Sequence, residues 1–571
     1  MLAKPILKKR QAEKETVQRL KQQGVPPLLA RLFASRGVQD ATQIQFRWAK
    51  LHAPNQLNEN QKAAQLLANA IEAHERILIV ADYDCDGATA CAVGLRALNA
   101  MGADVDFLVP DRFETGYGLS PQIIELALNH PNGKPDWILT VDNGIASIEG
   151  VEAAKQAGIQ VIITDHHLPS DILPAAAAIV NPNQPNCSFP SKHLAGVGVL
   201  FYLMLALRAE LRQRGVFDVH SQPRLENLAD LVALGTVADV VRLDANNRIL
   251  VAQGLKQIRQ SEMNPGIAAL FQVASRDPKL ANSFDLGFAI GPRINAAGRL
   301  ADMSLGIQCL ATDNFDEALT LAHELDLINR KRRNIEQNMH KEALATVELK
   351  TSLKPNATVC VYEPDWHQGV VGLVAGRLKE KFWRPTIAFA KANENELKGS
   401  GRSIPDVHMH DTLDFIYKKH PDLIQKFGGH AMAAGLSIHP KNLETFKKAF
   451  EQAVIEFTGR TEFEPIIETD DSLEIDYLNL ETAKTLHRYV WGTGFPPPIF
   501  QDCFQVLNQR VLKEKHLRLN LARKGRRFEG IWFNQAKPVG NKVELAYRLD
   551  ENHWNGQSRL QLIIEYGETL E

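Results

Sequence analysis

The sequence predicts an α/β protein of several domains: a parallel-sheet unit, a long connecting helix, a second α/β unit and a C-terminal β-barrel. Three observations predict it. Short apolar runs that end in Asp recur with helix-like segments between them, the rhythm of parallel strands joined by crossover helices. Asp313 to about Leu349 holds apolar residues at helical spacing and no Gly or Pro. From about residue 461 the texture changes to short alternating segments, as in strands with one face in solvent. At 571 residues one core is unlikely, and roughly three or four domains are expected.

The N-terminal segment, residues 1–40, begins basic and polar and lacks the apolar stretch of a signal peptide. The longest apolar stretch, Ala195 to Leu207, is shorter than the ~18–20 residues that span a bilayer, so it reads as a buried helix and not as a membrane anchor. The six cysteines are scattered with no CxxC pair, which argues against a zinc ribbon and fits a reducing, cytoplasmic setting. Net charge is −2, so a polyanion must be met by a local patch and not by a basic coat.

Residues 41–305 form the first unit. Ile77 to Ala81 is an unbroken apolar run, suited to a strand buried on both faces, and it stops at Asp82, Asp84 and Asp86 with Gly87 behind. Three carboxylates within five residues repel one another, and none can be buried while ionised without a cation. A solvated acidic turn is the bland alternative. A calcium loop is another, but the position that needs Glu holds Val93. Trp137 to Val141 reads as a second strand ending in Asp142-Asn143-Gly144, and Val161 to Thr164 as a third ending in Asp165-His166-His167. Ser147 to Gly158 between them is a short helix pattern with a C-cap glycine, so all three acidic tips fall on one edge of one sheet. Asp239, flanked by apolar residues on both sides, is a fourth candidate.

Carboxylates with one or two imidazoles and no thiolate suit Mn²⁺ or Mg²⁺. Shared Asp ligands permit two ions ~4 Å apart, an arrangement that hydrolyses phosphoesters by activating water and stabilising the leaving oxygen. Arg112 lies in the loop after the strand-like Val105–Val109 and is either a solvated charge or a phosphate contact. Arg293, Asn295 and Arg299 alternate with small residues in Gly291–Arg299, a pattern that lets backbone and Arg forks approach phosphate.

The connecting helix takes 306–350, its charged middle read as a solvated face. Residues 351–460 form the second α/β unit. There Gly399-Ser400-Gly401-Arg402-Ser403 reads as a flexible turn or an anion nest, with Arg402 as charge partner. Phe427 to Gly435, with Gly428, Gly429 and His430, reads as a loop opening a helix, another anion seat. In residues 461–571 a basic turn carries Arg523, Lys524, Arg526 and Arg527, with Phe528 and Trp532 close behind. A small barrel so equipped fits an OB-fold that tracks phosphates and stacks bases, the plain alternative being a solvated basic hairpin. Because the acidic tips lie in another domain, the sequence predicts that a cut near Thr461 leaves hydrolysis of short substrates intact.

The ordered set Asp82-Tyr-Asp-Cys-Asp-Gly87, Val141-Asp-Asn-Gly144 and Asp165-His-His167 resembles the motifs of the DHH phosphoesterase superfamily. Gly235-Thr-Val-Ala-Asp-Val-Val241 and Gly291–Arg299 resemble its bacterial single-strand-specific exonucleases. Gly399–Ser403 and Gly428-Gly-His430 resemble the associated DHHA1 domain. The resemblance implies a DHH domain, a DHHA1 substrate-binding domain and an OB-like domain, and a 5′→3′ exonuclease that releases 5′-mononucleotides from single-stranded DNA in repair and recombination. It implies Asp82, Asp84, Asp86, Asp142, His166 and Asp239 as ligands of two ions. Asp142 would bridge them and His167 would face the scissile phosphate. Arg112, Ser400 and Arg402 would hold the terminal 5′-phosphate. Single-stranded DNA is the expected partner, with a single-strand-binding protein and a helicase as candidate protein partners. The alternatives are a hydrolase of short oligonucleotides or cyclic dinucleotides, and a binding module that keeps the fold without the metals.

Overall fold

The structure, a computed structural model, describes residues 4–110, 118–351, 356–554 and 557–570. It divides into two compact units, one of Arg10–Asn329 with Asp470–Glu571, the other of Met1–Lys9 with Arg330–Thr469. The chain opens with a strand of the smaller unit, β1 (Ile6–Lys9).

The larger unit holds a sheet of five parallel strands, β2 (Arg76–Ala81), β3 (Asp104–Leu108), β4 (Trp137–Val141), β5 (Gln160–Thr164) and β6 (Ala178–Val180), in the order β3-β2-β4-β5-β6. β2 and β4 are apolar because helices cover both faces, as the unbroken runs predict. Ala81, Val141, Thr164 and Val180 are register partners across four strands, so the residues that follow them emerge on one edge. The order turns back between β2 and β4, the switch point where open α/β sheets receive ligands. Helices α1 (Cys85–Ala100), α2 (Ile148–Gln156), α3 (Gly196–Gln213), α4 (Ala229–Ala238) and α5 (Gly291–Leu300) belong to this unit. Helix α6 (Phe315–Thr351) then carries the chain into the smaller unit.

The smaller unit has a five-stranded sheet, ordered β10-β11-β9-β8-β7, of β7 (Val359–Tyr362), β8 (Thr386–Asn393), β9 (Glu396–Arg402), β10 (Lys426–Gly429) and β11 (Ala433–Ile438). Helix α7 (Val371–Phe382) links its first two strands, and β12 (Ile466–Thr469) pairs in parallel with β1. Two stretches fold differently from the sequence expectation. Gly399–Arg402 is neither a turn nor a nest but the end of β9. A Cβ at Gly399 would come within 2.5 Å of the Phe389 ring, and one at Gly401 within 3.1 Å of Met409 Sδ, so these glycines make room for core side chains. Phe427–Gly435 opens no helix. It is the β10–β11 hairpin at the sheet edge, paired Gly428 to Gly435.

Five strands close the C-terminal barrel in the order β13-β14-β15-β17-β16: β13 (Phe500–Leu512), β14 (His516–Arg523), β15 (Arg526–Trp532), β16 (Lys542–Trp554) and β17 (Gln557–Thr569). Leu517, Leu519 and Leu521 point inward and are fully buried, as the alternation predicts. Lys524 and Gly525 make the two-residue β14–β15 turn, both with positive φ (46° and 76°), the geometry a hairpin of this twist requires. The predicted Asn555-Gly556 turn lies outside the described residues, but Trp554 and Gln557 on either side are register partners.

The barrel is not a tethered module, which argues against the expectation that a chain cut near Thr461 keeps its hydrolysis of short substrates. One apolar core runs from Leu20 and Phe33 through the parallel sheet to Phe504 and Ile564. Phe33 stacks on Trp491 at 5.8 Å and Phe495 at 6.2 Å, and Arg36 grips Asp470 with two bonds of 2.7 and 2.8 Å. Among the described residues no helix is long and apolar enough to cross a membrane.

Candidate metal centre

Asp82 follows β2 directly and is buried. Asp84 is the N-cap of α1, its Oδ1 accepting from the amides of Asp86 (2.9 Å) and Gly87 (3.1 Å), which leaves Oδ2 for a cation. Asp86, one step into the helix, reaches the start of α3, where the amides of Gly196 (2.6 Å) and Val197 (2.9 Å) donate to its two oxygens. The positive end of α3 thus steadies one carboxylate of a crowded set. Asp142, after β4, has φ 64°, a left-handed conformation uncommon for a residue with a Cβ. Strain of this kind persists where surroundings enforce it, commonly at sites of chemistry. Asp239 is the C-cap of α4.

His166, after β5, turns its Nε2 into this cluster, 3.1 Å from Asp142 Oδ1, 3.5 Å from Asp239 Oδ2 and 4.0 Å from Asp86 Oδ2. Three groups bring their donor atoms within 4.8 Å of one another: Asp82, Asp84 and Asp142; Asp86, His166 and Asp239; Asp142, His166 and His167. Asp142 belongs to two of them. The fold therefore gathers all six ligand candidates and His167 at the switch point.

Burial pushes the Asp142 and Asp239 carboxyls well above the usual range, and the neighbouring aspartates add to it. Burial and the charge of Asp84 raise Asp86 to about 7 despite its amide donors. So many buried acids in contact call for cations, and oxygen donors with one or two imidazoles fit hard divalent ions. His167 behaves oppositely. Burial pulls it down, but the Asp165 hydrogen bond (Nδ1 to Oδ1, 2.7 Å) and the charges of Asp165, Asp82 and Asp84 hold it protonated to about 9. Burial works against Asp165 too, yet His167 keeps it below the usual carboxylate range. Asp165 stands in the triplet the sequence singles out, but without a role there. Its part is to orient His167 and, through the Ile145 amide at 2.9 Å, the loop after β4.

The glycine-rich stretches buttress the cluster. A Cβ at Gly196 would fall 2.5 Å from Asp142 Oδ1, and one at Gly298 1.8 Å from the Tyr83 carbonyl. Gly291–Arg299 is helix α5, so its small residues serve close packing. Asn295 Oδ1 accepts from the Cys85 amide at 2.9 Å, and Arg293 pairs with Asp326 at 2.8 Å. Arg299 lies one residue from the end of α5. Arg112 lies outside the described residues. In the smaller unit Arg402 Nη1 donates to Ser400 Oγ at 3.1 Å, and both face the first turn of α7, where a Cβ at Gly372 would come within 2.9 Å of each. Gly428 and Gly429 lie on the edge strand β10 and His430 just beyond it.

In the barrel, Arg523 does not join the exposed basic turn that the sequence suggests. It forms a buried pair with Asp502 (2.5 Å) and donates to the Leu473 carbonyl (2.7 Å), so it is a structural cation. Arg526 reaches Asp476 at 2.9 Å on the surface, while Lys524 and Arg527 are exposed. Phe528 and Trp532 are half-buried against the barrel core. Phe528 still lines an open groove with Arg527, Asn508 and Asn520.

Comparison with known proteins agrees with this geometry. Residues 76–236 match the model of the DHH family, N-terminal domain, residues 355–456 the DHHA1 domain, and residues 469–566 the RecJ OB domain. The chain is 47% identical over 554 residues to the single-stranded-DNA-specific exonuclease RecJ of Escherichia coli K12, covering 95% of this chain and 96% of that one. It superposes on the crystal structure of RecJ from Thermus thermophilus in complex with Mn²⁺ with a TM-score of 0.82 and 28% identity, over 99% of this chain and 80% of that one. The Mg²⁺ complex of the same protein gives a TM-score of 0.77 at 26% identity, over 99% and 79%.

Proposed function

Because the chain belongs to the RecJ family of single-stranded-DNA-specific exonucleases, we propose that it removes 5′-mononucleotides successively from the 5′ end of single-stranded DNA, in repair and recombination. It is a metal-dependent nuclease, and Mn²⁺ or Mg²⁺ is its cofactor. The observation that carries the reading is the set of shared donor groups at the switch point, in a chain similar to exonucleases from end to end.

Asp82, Asp84 and Asp142 would hold one ion and Asp86, His166 and Asp239 the other, with Asp142 between them. Bound there, two such ions activate water and neutralise charge on the phosphoryl oxygens. His167 donates Nδ1–H to Asp165, which leaves protonated Nε2 to meet a phosphoryl oxygen of the scissile group. Ser400, Arg402 and the first turn of α7 form a seat for a terminal phosphate: a hydroxyl, a guanidinium and helix amides. Arg112 stays with the terminal phosphate, as the resemblance implies, and Arg293, Asn295, Arg299, Gly428, Gly429 and His430 stay candidates for the substrate path. Domain limits of 41–305, 351–460 and 461–571 divide the labour into metal chemistry, end recognition and grip. Scattered free cysteines support a cytoplasmic setting, and a single-strand-binding protein and a helicase are the protein partners the family resemblance suggests.

The test is digestion by chelated protein restored with Mn²⁺, on a long single strand, the same strand as duplex, and a dinucleotide. Rapid loss of the single strand alone is expected, faster with a 5′-phosphate than a 5′-hydroxyl, and Arg402→Ala should narrow that preference. Preference for the dinucleotide would favour the small-substrate alternative.

A further inference from the structure

Phe284 and Phe288 form a stacked pair, rings 4.6 Å apart and 27° from parallel, with 49% and 73% of their surfaces in solvent. Neither is needed by the core, and two large rings held open to water invite a partner. Phe288 is in a π-helical turn, Leu286–Ile290, that runs straight into α5. Such turns are rare and concentrate at functional sites.

The opposite side of this segment is fixed against the metal centre. Leu286 and Ile290 are buried. A Cβ at Gly287 would come within 3.3 Å of Val237, and one at Gly291 within 3.1 Å of Ala238, the residue before Asp239. Val240, just past Asp239, is 63% exposed with φ 63°. Further along, Asn295 and Gly298 touch the acidic turn itself. At the other end Ser283 Oγ donates to the Trp491 carbonyl at 2.6 Å, in the stretch that leads to the barrel. One continuous segment therefore carries the ring pair in solvent while its other residues pack against the helix that ends at Asp239.

We propose that Phe284 and Phe288 are a base-stacking platform that holds the unpaired nucleobases of the DNA strand next to the scissile phosphate. This rests on the single-strand exonuclease reading above. Aromatic faces accept any base, as degradation without regard to sequence requires. Duplex bases, stacked on each other, offer no face to the rings, so the platform favours single strands.

The test replaces Phe288 by Ala, Leu and Trp, and Phe284 with Phe288 by Ala together, in the full chain with Mn²⁺. Each protein is assayed on a single strand with all its bases, on the same strand with abasic residues near the 5′ end, and on the p-nitrophenyl ester of thymidine 5′-monophosphate. The platform predicts KM on the intact strand raised roughly ten-fold by Ala or Leu, with kcat kept and Trp restoring KM. It also predicts that abasic residues weaken the wild type but not the double mutant. Wild-type KM and undiminished abasic sensitivity in the double mutant would overturn the platform. So would a change in the wild-type oligomeric state on mutation with KM unmoved, which would mark the rings as a contact between copies. If the wild type cleaves the ester but no DNA strand, the exonuclease reading fails instead.

Discussion

Both oxygens of Asp165 are engaged inside the protein, by the amides of Ile145, His166 and His167 and by the His167 ring. Asp165→Asn removes the charge that keeps His167 protonated. Turnover should fall about 10- to 100-fold, the usual size for a group that orients another. The alkaline limb of the pH–rate profile should also move down towards the ordinary histidine range near ~6.5. A wild-type limb in the mutant would show that Asp165 only packs. Asp86 carries a second test. Without a cation its proton is held up to about 7, whereas an unfolded chain releases it near ~4. Between these values the folded state binds more protons than the unfolded one, so chelated protein loses stability as the pH rises through that window. Added Mn²⁺ should therefore raise Tm more near neutrality than at about pH 5, and equal increments would contradict it. At this scale the acidic tips were legible because no carboxylate ends a buried strand without cause. The roles of Asn295 and Asp165 were not, because both act through contacts between elements distant in sequence.

Among the elements, strands read well and glycine-rich stretches poorly. The limits of β4, Trp137–Val141, are those the apolar run predicts, whereas Gly399–Ser403 and Phe427–Gly435 look like anion loops and are the end of β9 and the β10–β11 hairpin. Composition cannot tell a glycine that frees backbone for a ligand from one that makes room for Phe389. The basic hairpin of the barrel divides in the same way. Arg527→Ala with Lys524→Ala should leave Tm unchanged and flatten the salt dependence of strand binding, by ~0.7 log units per log unit of salt for each phosphate no longer neutralised. Arg523→Ala should instead destabilise by about 3–5 kcal/mol, since it strands buried Asp502. Matching melting curves for the two variants would mean that the buried pair does not hold the barrel.

For the whole molecule, the order of domains was legible and their mechanical coupling was not. The sequence places a change of texture near residue 461, but Phe33, on the helix Pro27–Ala34, and Arg36, in the turn after it, pack on Trp491, Phe495 and Asp470, far along the chain. Asp470→Ala would leave Arg36, 1% exposed at its side chain, without its carboxylate, and should cost about 3–5 kcal/mol. A chain ending near Thr461 should lose activity on short and long strands alike, together with its cooperative melting. Full activity of that truncation on a short oligonucleotide would restore the view of a separable barrel. The central claim is that the acidic strand tips, loaded with Mn²⁺, cleave single-stranded DNA from its 5′ end. Its most direct test is a time course on one single strand labelled at either the 5′ or the 3′ end, with Asp142→Ala alongside. Immediate release of labelled mononucleotide from the 5′-labelled strand, late release from the 3′-labelled strand and none with Asp142→Ala is the predicted result. Early release of the 3′ label, or wild-type release by Asp142→Ala, would contradict it.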